Sequence, residues 1–329
     1  MGKTGWIVLI VCLSIVLCIC AGVFLAGRIF SNLSFVRGED KADSSTIQGY
    51  KDLNNPYSQD GTYSVKMDAL QKLEIDWIGG SVIIELTDSD ILRFEESANV
   101  TIREKDALRY GVTGGKLRIQ ACKKNHTGSL PQKKLKVFLP RSLAEGMREC
   151  KLDTVSASIT ADGLALEELE VNTVSGKVTL SNTMALEAQV DTVSGQVVLP
   201  DCSFDSLRFD SVSGPIRVSG SVQKLKASSV SGDMELTLLA CRDIRTNTMS
   251  GAVTMTLTET PRELNVDITS GDTRIALPTD ASCTISLDTM SGKLYLNNES
   301  VGAKQITLGD GSVSFEIDSM SGSVYIYTK

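Results

Sequence analysis

The chain has 329 residues, of which 42% are hydrophobic and 5% aromatic, with 40 acidic against 33 basic residues and a net charge of −7. Such an acidic balance lacks the clustered Lys and Arg that neutralise phosphates, which argues against nucleic-acid binding. One histidine, and cysteines without C-x-x-C spacing, leave no support for zinc, redox-motif or His-activated nucleophile readings.

In chain order, residues 6–27 come first: 22 uncharged, mostly apolar residues between Lys3 and Arg28. About 20 such residues cross a bilayer core, so residues 1–28 are predicted to be a single transmembrane anchor whose bilayer contact is residues 6–27. A cleaved signal peptide, with its h-region of about 7–15 residues, is the runner-up. Leu17 and Ile19 precede Cys18 and Cys20 where a lipoprotein signal wants a small residue. The positive-inside count alone leans to a cytoplasmic C-terminus, but a long folded domain is translocated largely regardless of its charges. The expectation is a single-pass protein of the cell membrane with its C-terminal domain outside.

Residues 29–62 are polar and turn-rich, and read as a flexible tether. Residues 63–150 alternate like strands and are expected to form an N-terminal β cap with the first irregular coils, shielding an open edge. This stretch holds the one basic patch, Lys116, Arg118, Lys123, Lys124, Lys133, Lys134 and Lys136. It reads as a solvated edge that blocks unwanted pairing, with anionic lipid or wall polymer as the functional alternative. His126, in Lys-Lys-Asn-His-Thr-Gly, reads as a solvated turn residue. Of the cysteines beyond the anchor, Cys122, Cys150, Cys202, Cys241 and Cys283 are expected as small core fillers, with a Cys122–Cys150 bridge left open.

Residues 151–329 repeat one phrase, V/M-S-G followed by an alternating apolar pair. With Gly as marker, copies fall at Ala157 (a substituted Gly), Gly176, Gly195, Gly214, Gly232, Gly251, Gly271, Gly292 and Gly322. The first intervals are 18 to 21 residues and the last is 30. A period near 20, rich in Val, Thr and Gly, predicts an all-β solenoid (β-helix) whose coils each give short strands to a shared core. Five residues before the marker stand Leu152, Val171, Val190, Phe209, Val266, Leu287 and Ile317, with Ala227 and Thr246 as smaller members. Two residues earlier the column is Leu169, Leu207, Leu225, Ile244, Leu264, Ile285 and Phe315. Residues two apart share a strand face, and this face must be interior. Inward pairs such as Val178 and Leu180 or Val324 and Ile326 follow the marker, so each coil has two strands meeting at a Ser-Gly corner. Gly is expected there for its access to φ > 0.

The recurring serines, Ser156, Ser175, Ser194, Ser213, Ser231, Ser250, Ser270, Ser291 and Ser321, invite a nucleophile reading. A residue present in every coil is a coil-building residue, so these hydroxyls are expected to bond the corner backbone. Four residues before the marker is a polar column, Asp153, Asn172, Asp191, Asp210, Ser228, Asn247, Asp267, Asp288 and Asp318. It reads as side chains bonding their own backbone and forming a ladder; a calcium β-roll would need paired glycines in every turn. Asp201, Asp205 and Arg208 are the nearest thing to a local charge cluster, and connecting loops account for them. Gly309-Asp310-Gly311 suggests an extra part-coil within the long last interval. Val324–Tyr327 is expected to close the chain as an open edge strand.

Ile75-Asp76-Trp77-Ile78-Gly79-Gly80-Ser81-Val82, a strand ending in Leu139-Pro140, the serial Asp-Thr-Val-Ser-Gly coils and Gly309-Asp310-Gly311 together resemble the DUF4097 family of bacterial adhesin-like β-strand-repeat proteins, from about residue 63 to 329. The resemblance implies a β-solenoid in a bacterial cell envelope and brings no catalytic or binding residues. No catalytic, cofactor-binding or metal residue is assigned. The reading is a non-enzymatic, membrane-anchored module for surface binding or envelope-stress scaffolding, its partner an envelope protein or glycan. The alternative is a β-helix polysaccharide lyase or hydrolase, which should break the repeat at one place with long insertions and unique charges.

Overall fold

The computed structural model describes residues 58–123, 126 and 129–329, and within them the chain is all-β apart from single turns at Glu104–Asp106 and Arg141–Ala144. The expected anchor at 6–27 and most of the expected tether lie outside these residues. Among the described residues no helix is long and apolar enough to cross a membrane. They form two compact units, one ending at Leu186 and the other running from Glu187 to Lys329.

In the first unit the strands stack in parallel coils, but not in chain order. Lys72–Trp77 lies between Lys116–Gln120 and Glu149–Thr154, so Leu73 meets Leu117 and Cys150, and Ile75 meets Ile119 and Leu152. Gly80–Thr87 likewise lies between Lys133–Pro140 and Ser158–Asp162. The earliest coil is thus interior, and the later pair, Lys116–Gln120 with Lys133–Pro140, is outermost. Antiparallel strands cover that outer coil: Arg109–Thr113 pairs with Lys116–Gln120, Leu92–Ala98 with Lys133–Pro140, and Thr62–Val65 with Leu92–Ala98. On the other side Ala165–Thr173 and Val178–Ser181 continue the parallel stack.

The second unit uses the same device at its C-terminal end. Val197–Ser211 and Ile216–Ser229 pair along nearly their whole length, bending where the register shifts between Leu199 and Cys202. Asp201 takes φ 55 at that bend, a left-handed conformation that a short Asx side chain tolerates. Regular coils follow to Thr273–Leu277. The last strands then insert. Val313–Ser321 sits between Glu263–Ser270 and Cys283–Thr289, and Val324–Thr328 between Thr273–Leu277 and Leu294–Leu296. The expected open edge at Val324–Tyr327 is therefore wrong, because that strand is paired on both sides. The 30-residue interval holds not a part-coil but an antiparallel cover, Gln305–Leu308 on Cys283–Ser286 and Glu299–Ser300 on Tyr295–Leu296. Gly309 and Gly311 (φ 59 and 71) form the turn from cover to inserted strand.

The inward columns are buried as expected, Thr246 included; of the second inward pairs, Leu296 is only half-buried. Each Leu, Val or Ile so removed from water is worth about 1.5–3 kcal/mol. The reason for glycine at the corner differs from the expectation. Gly176, Gly214, Gly232 and Gly292 have no positive φ. A Cβ there would come within 1.8, 2.0, 2.2 and 2.0 Å of a carbonyl oxygen at the adjoining coil's corner. Glycine is required by how closely the corners stack.

A buried hydroxyl three residues before the marker ties the corner. The N–H of Gly195 donates to Thr192 Oγ1 (2.8 Å) while the Thr192 hydroxyl donates back to the Gly195 carbonyl (3.3 Å). Gly176 donates to Thr173, Gly232 to Ser229 and Gly292 to Thr289, at 2.8–3.0 Å. The tie lapses at two corners: Thr248 Oγ1 finds no partner among the described residues, and Ile268 replaces the hydroxyl altogether. Gly251 and Gly271 take φ 151 and 135 there, and so does Gly322 (φ 153), whose Ser319 hydroxyl still donates to the Gly322 carbonyl (3.5 Å), so loss of the tie alone does not set the corner's φ.

Candidate functional surface

The serines of the repeat are not aligned for chemistry. The Ser156, Ser175, Ser213, Ser231 and Ser291 hydroxyls donate to corner carbonyls of adjoining coils, those of Ile78, Val155, Val193, Val212 and Met320, at 3.2–3.5 Å. These five act as rungs, as expected. The Asx column also stacks, with Asn172 opposite Asp153 and Asp318 opposite both Asp267 and Asp288. Its members bond one another and their neighbours: Asn172 Nδ2 donates to Asp153 Oδ1 (2.8 Å), and Arg208 to Asp210 (2.8 Å). Burial pushes the Asp153 carboxyl up to about 6 against the pull of Lys151 and Asn172. Asp318 is raised by burial and then by the neighbouring carboxylates Asp267 and Asp288.

The most reactive-looking residues gather beneath the antiparallel cover of the first unit. Lys133 is buried, and its Nζ donates to Glu96 Oε1 (2.5 Å), to the Asp106 carbonyl (2.6 Å) and to the Ala121 carbonyl. It lies 5.0 Å from the Trp77 ring centroid, and the Trp77 indole N–H donates to the Lys133 carbonyl (3.0 Å). Glu96 also accepts from the Leu108 N–H (3.0 Å). Beside it, the Asp106 carboxylate meets His126 Nε2 (2.7 Å) and Arg103 Nε (2.5 Å). Burial pushes the Asp106 carboxyl up, but those two partners hold it below its ordinary value.

Two sequence expectations fail here. His126 is not a solvated turn residue, since its side chain is 5% exposed against Asp106. Lys133 does not belong to a solvated basic edge. The signal for Lys133 and Glu96 was in the alternation: Lys133 shares parity with Leu135, Val137 and Leu139, and Glu96 with Leu92 and Phe94, which places both on the inward face. Arg118 is held by Asp76 (2.8 Å) and Lys136 by Glu85 (2.9 Å), which removes more of the expected patch.

All three Lys133 donors are used, so the cluster can pin the cover but offers no free group to a substrate. Its neighbour Cys122 is buried and its thiol is pushed up to about 12, chiefly by burial, which leaves it protonated and inert. Cys122, Cys150, Cys202, Cys241 and Cys283 are all free and buried, as core fillers should be, and the 122–150 bridge is not formed. No group of three metal-ligating residues occurs among the described residues.

What remains accessible is the outward face of the coils. The Toastrack DUF4097 family model matches residues 70–327. The chain belongs to the Toastrack DUF4097 family. No curated protein matches it. Among solved structures, this Toastrack chain is similar to a protein named "putative adhesin" from Parabacteroides merdae, at 13% identity and TM-score 0.52, over 82% of this chain and 95% of that one. It is also similar to a "putative lipid binding protein" from Parabacteroides distasonis, at 19% identity and TM-score 0.51, over 80% and 95%. A second adhesin-named protein from P. distasonis matches at 12% identity and TM-score 0.52, over 80% and 95%. At these identities the likeness shows the fold.

Proposed function

We propose that this Toastrack chain is a non-enzymatic binding module of the bacterial cell envelope, anchored through residues 6–27 with its coils outside the membrane. The observation that carries the reading is the division of labour in the repeat. Corner hydroxyls are spent on backbone, the buried charges of the first unit are spent on one another, and the variable side chains all point outward from rigid strands. A scaffold of this kind suits recognition by an extended face. The adhesin and lipid-binding names of the structural neighbours support surface binding as the general role. The lyase or hydrolase alternative asks for an open acid/base pair on adjacent coils, whereas the His126–Asp106 contact is enclosed.

Protease shaving of intact cells expressing the full chain tests the reading. Loss of the coil region without lysis is the expected result. Full protection, with digestion only after lysis, sinks it.

A further inference from the structure

The outward face of the second unit carries a row of cations that folding does not account for. In the first unit the column six residues before the marker alternates in sign from coil to coil: Arg118 opposes Glu74, Glu74 opposes Lys151, and Lys151 opposes Glu170. Lys151 and Glu170 close at 2.8 Å. Opposite charges directly across neighbouring strands stabilise a sheet, and like charges destabilise it. In the second unit the equivalent column reads Arg208, Lys226, Arg245, with Arg208 directly opposite Lys226 and Lys226 directly opposite Arg245. All three are exposed, and neighbouring strands are about 4.8 Å apart. Lys224, also exposed, adds a fourth cation two residues away on the same strand face.

The outer two cations are tethered sideways, Arg208 to Asp210 (2.7 Å) and Arg245 to Glu263 (2.7 Å). Lys226, between them, has no ion-pair partner among the described residues. Three like charges at strand spacing cost stability, where the same column of the first unit alternates them.

We infer that Arg208, Lys226 and Arg245, with Lys224, form a docking strip for a linear phosphodiester polymer of the cell surface, a phosphate-linked polyol or glycan laid along the stacking direction of the coils. Arg and Lys are the side chains suited to phosphate, Arg as a fork and Lys as a point charge. The row is one side chain wide and bordered by Asp210, Asp243 and Glu263. A thread of anions follows it, whereas a flat anionic bilayer would be brought against those carboxylates. Single-stranded nucleic acid is disfavoured because the row has no interleaved aromatic side chains to stack bases. The inference deepens the binding role proposed above by naming the ligand's chemistry.

The test uses the full chain in phosphatidylcholine nanodiscs with synthetic poly(glycerol phosphate) as probe, and glycerol phosphate, phosphatidylglycerol vesicles and oligo-dT as comparators. Wild type is expected to bind the polymer in a salt-sensitive way and far more tightly, per phosphate, than any comparator. Lys226→Glu should weaken polymer binding at least tenfold while raising the melting temperature, because it restores alternation. Arg217→Glu, at a cation paired with Glu235 on the other arm of the same strand, should leave binding within twofold. Unchanged binding in Lys226→Glu overturns the inference, as does equal or tighter binding of any comparator. These outcomes are independent of cell shaving, so failure of the ligand and failure of the topology are told apart.

Discussion

The N-terminal end of the first unit and the C-terminal end of the second solve one problem with different materials. At each, a coil from the extremity of the folded chain is tucked one layer in, and the coil left outermost is sealed by antiparallel strands. At the N-terminal end the seal is deep: three covering strands, the Tyr63–Phe94–Tyr110 aromatic cluster, and a fully bonded Lys133–Glu96 pair beneath. At the C-terminal end it is two strands of two and four residues, and its ion pair, Lys304–Asp288, stands 3.9 Å apart in solvent. The difference teaches that topology closes an edge, while burial of the closing side chains sets how firmly. A buried charge pair makes its cover hard to remove because each charge depends on the other.

Removing one partner at each end gives the largest contrast. Lys133→Met strands Glu96 in the interior and is expected to cost about 3–5 kcal/mol in chemical denaturation. Lys304→Met is expected to cost less than about 1 kcal/mol. Equal costs would remove the distinction between a deep and a shallow seal.

The corners sharpen it next. Gly322→Ala places a Cβ 1.9 Å from the Gly271 carbonyl oxygen at a φ of 153, and is expected to cost about 1–3 kcal/mol. At the other end, Ala157 already carries a Cβ, and Ala157→Gly should cost only about 0.5–1 kcal/mol through chain entropy. Hydrogen exchange at the flanking amides reads both, and a harmless Gly322→Ala would contradict the close-stacking account.

The effect confined to one pH window comes last. The folded Asp153 carboxyl, at about 6, lies above its ordinary 3.8, so the fold holds a proton that the unfolded chain releases. Stability from this group is present below about pH 4 and is lost as pH rises to about 6, at no more than ~1.4 kcal/mol per unit. Asp153→Asn should flatten that window in pH-dependent melting. Asp318→Asn, raised in the same direction at a more exposed position, should flatten it less. A steeper slope in Asp153→Asn would refute the assignment.

The columns of the coil were legible in the sequence because period and parity are properties of single strands. Coil order was not. Cys283–Thr289 and Val313–Ser321 carry the same inward pattern, so either satisfies Glu263–Ser270 as a neighbour, and side-chain alternation cannot rank them. The long last interval was the visible trace of the exchange. Lys133 and Glu96 share parity with buried apolar neighbours, although charge by itself points a side chain to the surface. His126 was not readable, because its partner Asp106 sits in a turn 20 residues earlier that no local pattern links to it. The Arg208–Lys226–Arg245 row needed register, since only the pairing turns separate cations into a line.

The interior position of the final strands also governs the order of assembly. During synthesis the coil of Cys283–Leu296 emerges before its native neighbour, Val313–Thr328, exists. The nascent chain can meanwhile lay that coil directly on Glu263–Leu277, where the glycine corner and both inward columns match. Such a stack would have to reopen to admit the last strands, as a kinetic trap does. Completion therefore waits for the C-terminus, and a chain ending before residue 313 has every outer part of its seal but lacks the layer beneath it.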